Sequence, residues 1–321
     1  MANKILITGA SGFVGSHLAE YLIAKKDGDE IYGTYLSEES LKNLNIVRDN
    51  LKLTKINLSN EQEVYELIGN IKPDIVYHLA ALASVADSFS SPKESVVNNI
   101  SAQINILEAL RKSNLESSKT LVISSAEVYG DVLKENLPID EETPFRPTNS
   151  YAVSKLTQDF LGLQYFLSYK LKAVRVRPFN HIGSRQSPSF VVAAFAKKIA
   201  EIEKGKRENV LTVGNLEAKR DFTDVRDMVR AYDLAISKGE EGDVYNLGSG
   251  VSYKIKDILD KLLSMSNTDI KVETDKTLFR PIDNPDLVCD SSKFKKLTNW
   301  KPEISIEETL KDTLDYWRQI I

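Results

Sequence analysis

The fold is decided by Lys4–Gly15, which reads KILITGASGFVG. Its first five residues form a short apolar run that is typical of a buried strand, and a helical pattern begins at Phe13. Between them Gly9, Gly12 and Gly15 form a G-x-x-G-x-x-G turn. Glycine lets the backbone approach a pyrophosphate without a Cβ clash, and the N-terminus of the following helix offers free N–H groups. This strand-turn-helix context predicts a dinucleotide-phosphate site rather than a purely structural turn.

Further apolar runs follow the glycine turn, spaced so that amphipathic segments fit between them. Two of these segments, Asn98–Lys112 and Tyr151–Tyr169, are long enough for helices. Strands that alternate with helices form parallel sheets through right-handed crossovers. We therefore predict an α/β protein with a doubly wound parallel sheet of the Rossmann type. The predicted strands after the first are Glu30–Tyr35, Leu51–Ile56, Asp74–Leu79, Thr120–Ser124 and Ala173–Arg177.

After Asn180 the regular alternation weakens, although Val244–Leu247 still predicts one more strand. Ser305–Glu308 is a capping box that opens a final helix with one apolar stripe. The stripe consists of Leu310, Leu314, Trp317 and Ile321. This change of pattern predicts a cofactor-binding Rossmann domain over 1–180, joined by about 215–247. A smaller substrate-binding domain over 181–321 is expected to be interleaved with it.

Composition argues against several classes of function. The chain has 321 residues, with 42 Lys and Arg against 46 Asp and Glu, so its net charge is −4. A mildly acidic chain has no general attraction for nucleic acid or for an anionic membrane. Cys289 is the single cysteine and the three histidines lie far apart, so we expect neither a disulfide nor a metal site. With no leader-like start and no apolar run of membrane-spanning length, the sequence predicts a cytoplasmic protein.

The adenosine end of the predicted cofactor site falls at the ends of the second and third strands. An acidic residue commonly stands there to bind a ribose 2′-hydroxyl, but this chain has Tyr35 followed by Leu36 and Ser37. Without that carboxylate a 2′-phosphate meets no repulsion, so we expect NADP, with NAD tolerated. Asn57 and Leu58 follow the third strand, where they can touch the adenine edge. Asn57 can equally be a turn former.

Tyr151 and Lys155 lie four residues apart, on one face of a predicted helix. An ammonium close to a phenol lowers the pKa of the phenol, and such a tyrosine can exchange a proton near neutral pH. The spacing alone favours an ordinary surface helix. However, Ser125 follows the fifth strand, and a doubly wound sheet binds its ligands at the carboxyl ends of its strands. We therefore expect Ser125 and Tyr151 to reach the same reacting oxygen.

Six motifs spread over most of the chain: TGASGFVG, YHLAALASV, SSAEVYG, YAVSK, RPFN and YNLGSG. Together they resemble the extended short-chain dehydrogenase/reductase family. The resemblance implies Ser125, Tyr151 and Lys155 as catalytic residues, with hydride passing between nicotinamide and a sugar carbon. The chain departs from the family at Asn57, where aspartate is usual. The cofactor residues that we predict, partly on this resemblance, are Gly9, Gly12, Phe13, Val14, Gly15, Tyr35, Asn57, Leu58, Ala80, Ala81, Asn99, Tyr151, Lys155 and Pro178.

The run Gly214–Phe222 (GNLEAKRDF) resembles one shared by family enzymes that act on GDP-6-deoxyhexoses derived from GDP-mannose. On this resemblance Arg220 and Arg280 grip the diphosphate, because a guanidinium matches phosphate geometry. Asp283 is implied to hold a ribose hydroxyl. Arg185 lies in a loop where relatives often carry glycine. The substrate residues that follow from this resemblance are Ser125, Asn180, Arg185, Arg220, Arg280 and Asp283.

The same resemblance implies reduction of the C4 ketone of GDP-4-keto-6-deoxy-D-mannose, with GDP-D-rhamnose as the expected product. The 6-deoxytalose epimer stays open, because it differs only in the face of C4 that takes the hydride. The stretches Asn180–Gly183 and Asp221–Tyr232 resemble the reductases more than the related GDP-mannose 4,6-dehydratases. Glu127 keeps the dehydratase open as an alternative, because that reaction needs a carboxylate base. A nucleotide-sugar 4-epimerase and a non-catalytic, cofactor-sensing scaffold are further alternatives. In this family the two long helices pair across a two-fold axis, which implies a homodimer built on a four-helix bundle.

Overall fold

The structure is a computed structural model that describes residues 2–279 and 284–321. Its strands are β1 (Lys4–Thr8), β2 (Glu30–Tyr35), β3 (Lys52–Lys55), β4 (Ile75–His78), β5 (Lys119–Ile123), β6 (Ala173–Pro178), β7 (Asn180–Ile182), β8 (Val210–Val213), β9 (Lys219–Asp224), β10 (Val244–Leu247), β11 (Ser252–Lys254), β12 (Lys271–Thr274) and β13 (Asp286–Leu287). Its α-helices are α1 (Phe13–Lys25), α2 (Glu61–Ile71), α3 (Val85–Ser90), α4 (Pro92–Lys112), α5 (Ser150–Tyr169), α6 (Val191–Glu203), α7 (Val225–Lys238), α8 (Ile255–Ser264), α9 (Ser292–Thr298) and α10 (Ile306–Ile320).

The main sheet has seven strands in the order β10-β6-β5-β4-β1-β2-β3, and each neighbouring pair is parallel. The predicted doubly wound fold is therefore confirmed. Every predicted strand is present, with each end within one residue of its expected place. Such agreement follows from the sequence, since the inner strands are nearly continuous apolar runs covered on both faces.

Helices cover both faces of the main sheet. On one face α1 and α7 pack against it, and Leu18 and Met228 are fully buried there. On the other face α2, α4 and α5 contribute Ile68, Ile106 and Tyr165 to a second core. Burial on both faces leaves the carboxyl ends of the parallel strands as one free edge, and ligands of such sheets bind at that edge.

The rest of the described chain forms a smaller unit. In it β9 pairs with β7, β11 and β13, while β8 pairs with β12. Its core lies among α6, α8 and α10, where Leu310, Leu314 and Trp317 are buried as the predicted stripe requires. The described residues show one of the two bonds of the predicted capping box: the Ser305 side chain accepts a hydrogen bond from the Glu308 amide.

The segment 215–247 is divided between the two units. Its strand β9 belongs to the smaller sheet, whereas α7 packs on the main sheet and β10 pairs with β6. The part of this segment that joins the main sheet therefore begins at Val225, later than the expected 215. In the described residues no helix has the length and apolar character needed to cross a bilayer, and no three metal-binding side chains come together.

Candidate active site

The turn between β1 and α1 brings two stretches of backbone into close contact. Gly9 has a φ of +67°, and a Cβ at this position would lie 3.0 Å from the Ala80 Cα. A Cβ on Gly15 would collide with the Gly9 carbonyl oxygen. Within the described chain, no side chain caps the N-terminus of α1 and its first turn carries no acidic residue. The free N–H groups and the positive dipole end therefore fit the phosphates of a dinucleotide.

One cleft opens along the carboxyl edge of the main sheet, in front of this turn. The ends of β1, β4, β5 and β6 form one side of the cleft, and the start of α6 forms the other. The structure thus brings together most of the residues predicted for the cofactor and for catalysis. Those that line the cleft are Gly9, Gly12, Phe13, Val14, Gly15, Ala81, Ser125, Glu127, Tyr151, Lys155, Pro178 and Asn180.

Ser125 and Tyr151 meet within this cleft. Ser125 follows β5 and caps a short 3-10 helix, where its Oγ accepts a hydrogen bond from the Glu127 amide at 3.2 Å. Tyr151 lies in the first turn of α5, which is capped by Asn149. The Ser125 hydroxyl lies near enough to the Tyr151 phenol to lower its pKa. Both residues line the same cleft, so they can approach one reacting oxygen as the sequence predicts.

Burial controls the ionisation of Tyr151 and Lys155. It raises the pKa of Tyr151 to about 12, and the hydrogen bond from Ser125 offsets only part of that rise. Burial also lowers the pKa of Lys155 to about 7, against the opposing influence of Asp159. The sequence led us to expect a tyrosine whose pKa is lowered by Lys155. Instead, the Lys155 ammonium donates to Gln158 Oε1 at 2.8 Å, and Tyr151 keeps its proton at neutral pH.

The residues predicted at the adenosine end lie outside the lining of the cleft. Asn57 is a turn former, because its side chain accepts from the Ser59 amide at 3.0 Å. Leu58 is buried in the core beneath α2 and α4. The Tyr35 hydroxyl donates to Glu38, whose carboxylate also lies 3.5 Å from the Lys55 ammonium. An acidic and a basic group therefore both stand at this strand end.

Ala80 and Asn99 lie outside the lining of the cleft and contact the backbone that forms it. The Asn99 side chain is fully buried, accepts from the Leu82 amide at 2.8 Å and donates to the Leu82 carbonyl oxygen at 3.1 Å. Ala80 follows β4 and fits against Gly9, where a larger side chain would press on the turn. Asn99 thus holds the loop after β4 in place rather than lining the cleft, because its polar atoms are used within the protein.

A second cavity continues from the cleft into the smaller unit. Arg220 on β9 lines it, together with Asn215 and Leu216 from the Gly214–Phe222 run. Glu127 and Asn180 line both cavities, so the two are continuous at these residues. The placement brings the predicted arginine close to the predicted catalytic residues. Arg280 and Asp283, which were predicted to complete this part, lie outside the described residues.

Arg185 does not lie in either of these cavities. Its guanidinium forms a two-pronged ion pair with Glu20 of α1, and Nη2 is also 2.8 Å from His17 Nδ1. It lines a separate groove beside α1, α7 and α10. The expected substrate contact of Arg185 is not supported, because its charge is already neutralised on the far side of α1.

Several residues of the site were missed by the sequence analysis. Thr8 Oγ1 accepts from the Leu79 and Ala80 amides, so its hydroxyl hydrogen points to His78 Nδ1 at 2.9 Å. This contact joins the ends of β1 and β4 beneath the glycine turn. The position of Thr8 directly before the turn was a usable signal. Further cleft residues that carried no sequence signal are Gln186, Ser187 and Phe190.

Comparisons with known proteins agree with this geometry. The profile of the family described as GDP-mannose 4,6 dehydratase matches residues 6–313. GDP-6-deoxy-D-mannose reductase of Pseudomonas aeruginosa is 34% identical over 99% of this chain and 98% of its own length. The solved structure of RMD from Pseudomonas aeruginosa complexed with NADPH has a TM-score of 0.85, 32% identity and full coverage of both chains. UDP-glucose 4-epimerase of Thermus thermophilus complexed with NAD has a TM-score of 0.87 and 27% identity, covering 99% of this chain and 100% of the epimerase.

Proposed function

This chain belongs to the GDP-mannose 4,6-dehydratase family of extended short-chain dehydrogenases/reductases, and on that basis we propose that it reduces GDP-4-keto-6-deoxy-D-mannose at C4. The proposed product is GDP-D-rhamnose. The observation that carries this proposal is the meeting of Ser125 and Tyr151 in a cleft that continues into the cavity lined by Arg220. A keto sugar between these two regions would have its diphosphate on one side and its ketone beside two hydroxyl groups.

NADPH is the proposed cofactor, and NADH is tolerated. The glycine turn and the open N-terminus of α1 fit the diphosphate that both cofactors share. Lys55 beside Glu38 supports either cofactor, since a 2′-phosphate needs a cation and a 2′-hydroxyl needs an acceptor. We assign cofactor binding to the unit around the main sheet, and sugar-nucleotide binding to the smaller unit through Arg220.

The chemistry assigned to the protein is proton donation and stabilisation of negative charge. When bound, the reduced nicotinamide supplies the hydride that is added to C4. Tyr151 gives its proton to the oxygen at C4, because a phenol with a pKa near 12 is protonated at neutral pH. Ser125 Oγ already accepts from the Glu127 amide, and we assign its own hydrogen, which lies near the Tyr151 oxygen, to the C4 oxygen once the sugar is bound. Lys155 is assigned to the ribose hydroxyls of the cofactor.

The position of Glu127 favours GDP-mannose 4,6-dehydratase as the second candidate. Its carboxylate lies where the two cavities join, and the Asn149 amide donates to it at 3.2 Å. A carboxylate at this place is suited to removing a proton from a bound sugar. In the reductase that we propose, Glu127 orients the sugar instead.

The test is to incubate purified protein with NADPH and the 4-keto sugar. We expect consumption of NADPH and an NMR spectrum of GDP-D-rhamnose. GDP-mannose incubated with the protein and no added cofactor should remain unchanged, because a reductase has no route to the ketone. Formation of the 4-keto sugar from GDP-mannose alone would overturn the reductase in favour of the dehydratase. Tightly retained NAD with interconversion of two C4 epimers would favour the 4-epimerase.

We also propose a homodimer in which α4 and α5 of two copies form a four-helix bundle. Large apolar side chains are exposed along these helices, among them Val97, Val153, Phe160 and Leu167. Leu167 is 58% exposed, which is costly for an isolated surface but useful in an interface. The pairing of α4 with α5 within one copy supplies two of the four helices.

Sedimentation velocity tests this dimer. The protein should sediment as a dimer, and Leu167→Glu should raise the dissociation constant by at least about 100-fold because it places an unpaired charge in the interface. Ile46→Glu is the matched control, since Ile46 is an exposed apolar residue away from both helices. A monomeric wild type, or equal behaviour of the two variants, would contradict the bundle.

A cytoplasmic location completes the proposal. Cys289 is buried and unpaired in a chain with no second cysteine. Such a thiol is compatible with a reducing compartment.

A further inference from the structure

Gln158 lies one helical turn beyond Lys155 on α5 and faces the same side. Its side-chain oxygen accepts from the Lys155 ammonium at 2.8 Å, and both residues are almost completely buried. Of the three N–H groups of that ammonium, one is therefore held by Gln158. Within residues 2–279 and 284–321 no other acceptor binds the ammonium, so its remaining N–H groups can serve a ligand in the cleft that Lys155 lines.

The amide of Gln158 is itself held in one orientation. Its Nε2 donates to the Asn99 carbonyl oxygen at 3.0 Å, which forces Oε1 to point towards Lys155. The Gln158 backbone carbonyl oxygen accepts from Gln103 Nε2 at 2.6 Å, and Asn99 Nδ2 donates to Ser154 Oγ at 3.0 Å. These bonds join α4, α5 and the loop after β4 into one buried polar network.

We propose that Gln158 is a positioning residue for the reaction: it holds the Lys155 ammonium towards the cleft and keeps it protonated. The assignment rests on the proposed role of Lys155 in holding the cofactor ribose. An oriented acceptor at 2.8 Å favours the ammonium over the neutral amine, because the charged form makes the stronger hydrogen bond. Nothing in the motif YAVSK indicates this residue, which follows the motif by three positions.

Few charged groups compete with Gln158 for Lys155. On α5 the carboxylate of Asp159 acts on Lys155, but it is already bound by Arg175 and Arg177. At the end of β4, His78 is neutral at physiological pH because burial lowers its pKa to about 3. Tyr151 carries its proton, and α4 presents the uncharged amides of Asn99 and Gln103. Gln158 Oε1 is thus the group that most directly stabilises the protonated form of Lys155.

A measurable pH dependence follows. Lys155 holds the ribose as an ammonium, so kcat/KM for NADPH should fall as pH rises through the pKa near 7 that Lys155 has in the free enzyme. Gln158→Leu removes the acceptor, lowers that pKa and moves the alkaline limb down by about one pH unit. At pH 8 this corresponds to an approximately tenfold loss, against less than about twofold at pH 5.5. Gln158→Glu supplies a carboxylate and should move the limb in the opposite direction.

The experiment measures NADPH binding by tryptophan fluorescence and kcat/KM with the keto sugar, both from pH 5.5 to 9. Gln103→Leu is the matched control, since it removes a buried amide from the same helix interface without touching Lys155. It should lower the melting temperature and leave the alkaline limb in place. Opposite shifts for Gln158→Leu and Gln158→Glu support the assignment. If the alkaline limb of the pH profile stays at the wild-type pH in both Gln158 variants, the assignment of Gln158 is wrong.

Two further outcomes are informative. If Gln158→Leu does not fold, the isosteric Gln158→Glu decides alone: an upward shift supports the role and an unchanged limb refutes it. If the wild type binds NADPH but does not reduce the keto sugar, the proposed function fails. The binding limb, which needs no sugar, then still decides the role of Gln158.

Discussion

Tyr151→Phe is expected to lower kcat for reduction of the keto sugar by roughly 100- to 10,000-fold, because it removes the proton donor from the reacting oxygen. Tyr151 lies beside Ser125 in the cleft and holds its proton at neutral pH. The ring remains, so the shape of the cleft changes little. The dissociation constant of NADPH should therefore stay within about threefold of the wild type, since we assign NADPH binding to the glycine turn and Lys155.

Tyr65→Phe provides the matched control, since Tyr65 is an exposed residue on α2, far from the cleft lining. Steady-state kinetics and fluorescence titration with NADPH should show wild-type values for this variant. Retention of more than about a tenth of the activity in Tyr151→Phe would remove the proton-donor role. If the wild type binds NADPH without reducing the sugar, and Tyr151→Phe behaves in the same way, the protein is a cofactor-binding scaffold.

Asp159→Asn is expected to destabilise the protein by about 3–5 kcal/mol, since it leaves two buried guanidinium groups without their counter-ion. The Asp159 side chain has no exposed surface, and it binds Arg175 through one oxygen and Arg177 Nε through the other, at 2.7 Å. Arg177 also donates to the Tyr129 hydroxyl at 3.0 Å. The triad therefore joins α5 to β6 and to the segment after β5 that begins with Ser125.

Urea denaturation measures the expected loss. The control is Asp131→Asn, because Asp131 forms an ion pair with Arg146 in which both side chains are about half exposed. That exposed pair should contribute under about 1 kcal/mol. If both variants lost the same free energy of unfolding, the buried Asp159 triad would contribute no more stability than an exposed ion pair.

The main sheet could be predicted from sequence because each of its strands carries a local signal. Apolar runs such as Ile5–Ile7 in β1 and Leu121–Ile123 in β5 mark strands that are covered on both faces. The smaller unit carries weaker signals, since β7, β11 and β13 are short, mixed in character and paired with β9 across long stretches of chain. Pairings of that kind depend on the tertiary structure and not on periodicity.

The same distinction applies to the candidate site. The glycines, Ser125 and Tyr151 could be located because a strand end or a helix start positions each of them. The protonation states of Tyr151 and Lys155 could not be predicted in this way. Burial decides the pKa of both groups, and their spacing in the sequence does not indicate burial. Arg185 illustrates a second limit of prediction from sequence. Its partner Glu20 is remote in sequence, so the ion pair that occupies it is invisible in the chain pattern.

The pairing of β10 with β6 has a consequence for engineering sugar specificity. The chain reaches β10 only after forming part of the smaller sheet, and then returns to complete that unit. A fragment that stops at Asn180 would leave the outer edge of β6 with unpaired N–H and C=O groups, a template for aggregation. Exchange of the smaller unit between relatives therefore requires two grafts, 181–224 and 248–321, and the second must keep Phe294 and Trp300, which pack into the core of the main sheet. The native Val225–Leu247 must stay in place as the piece that closes the recipient sheet.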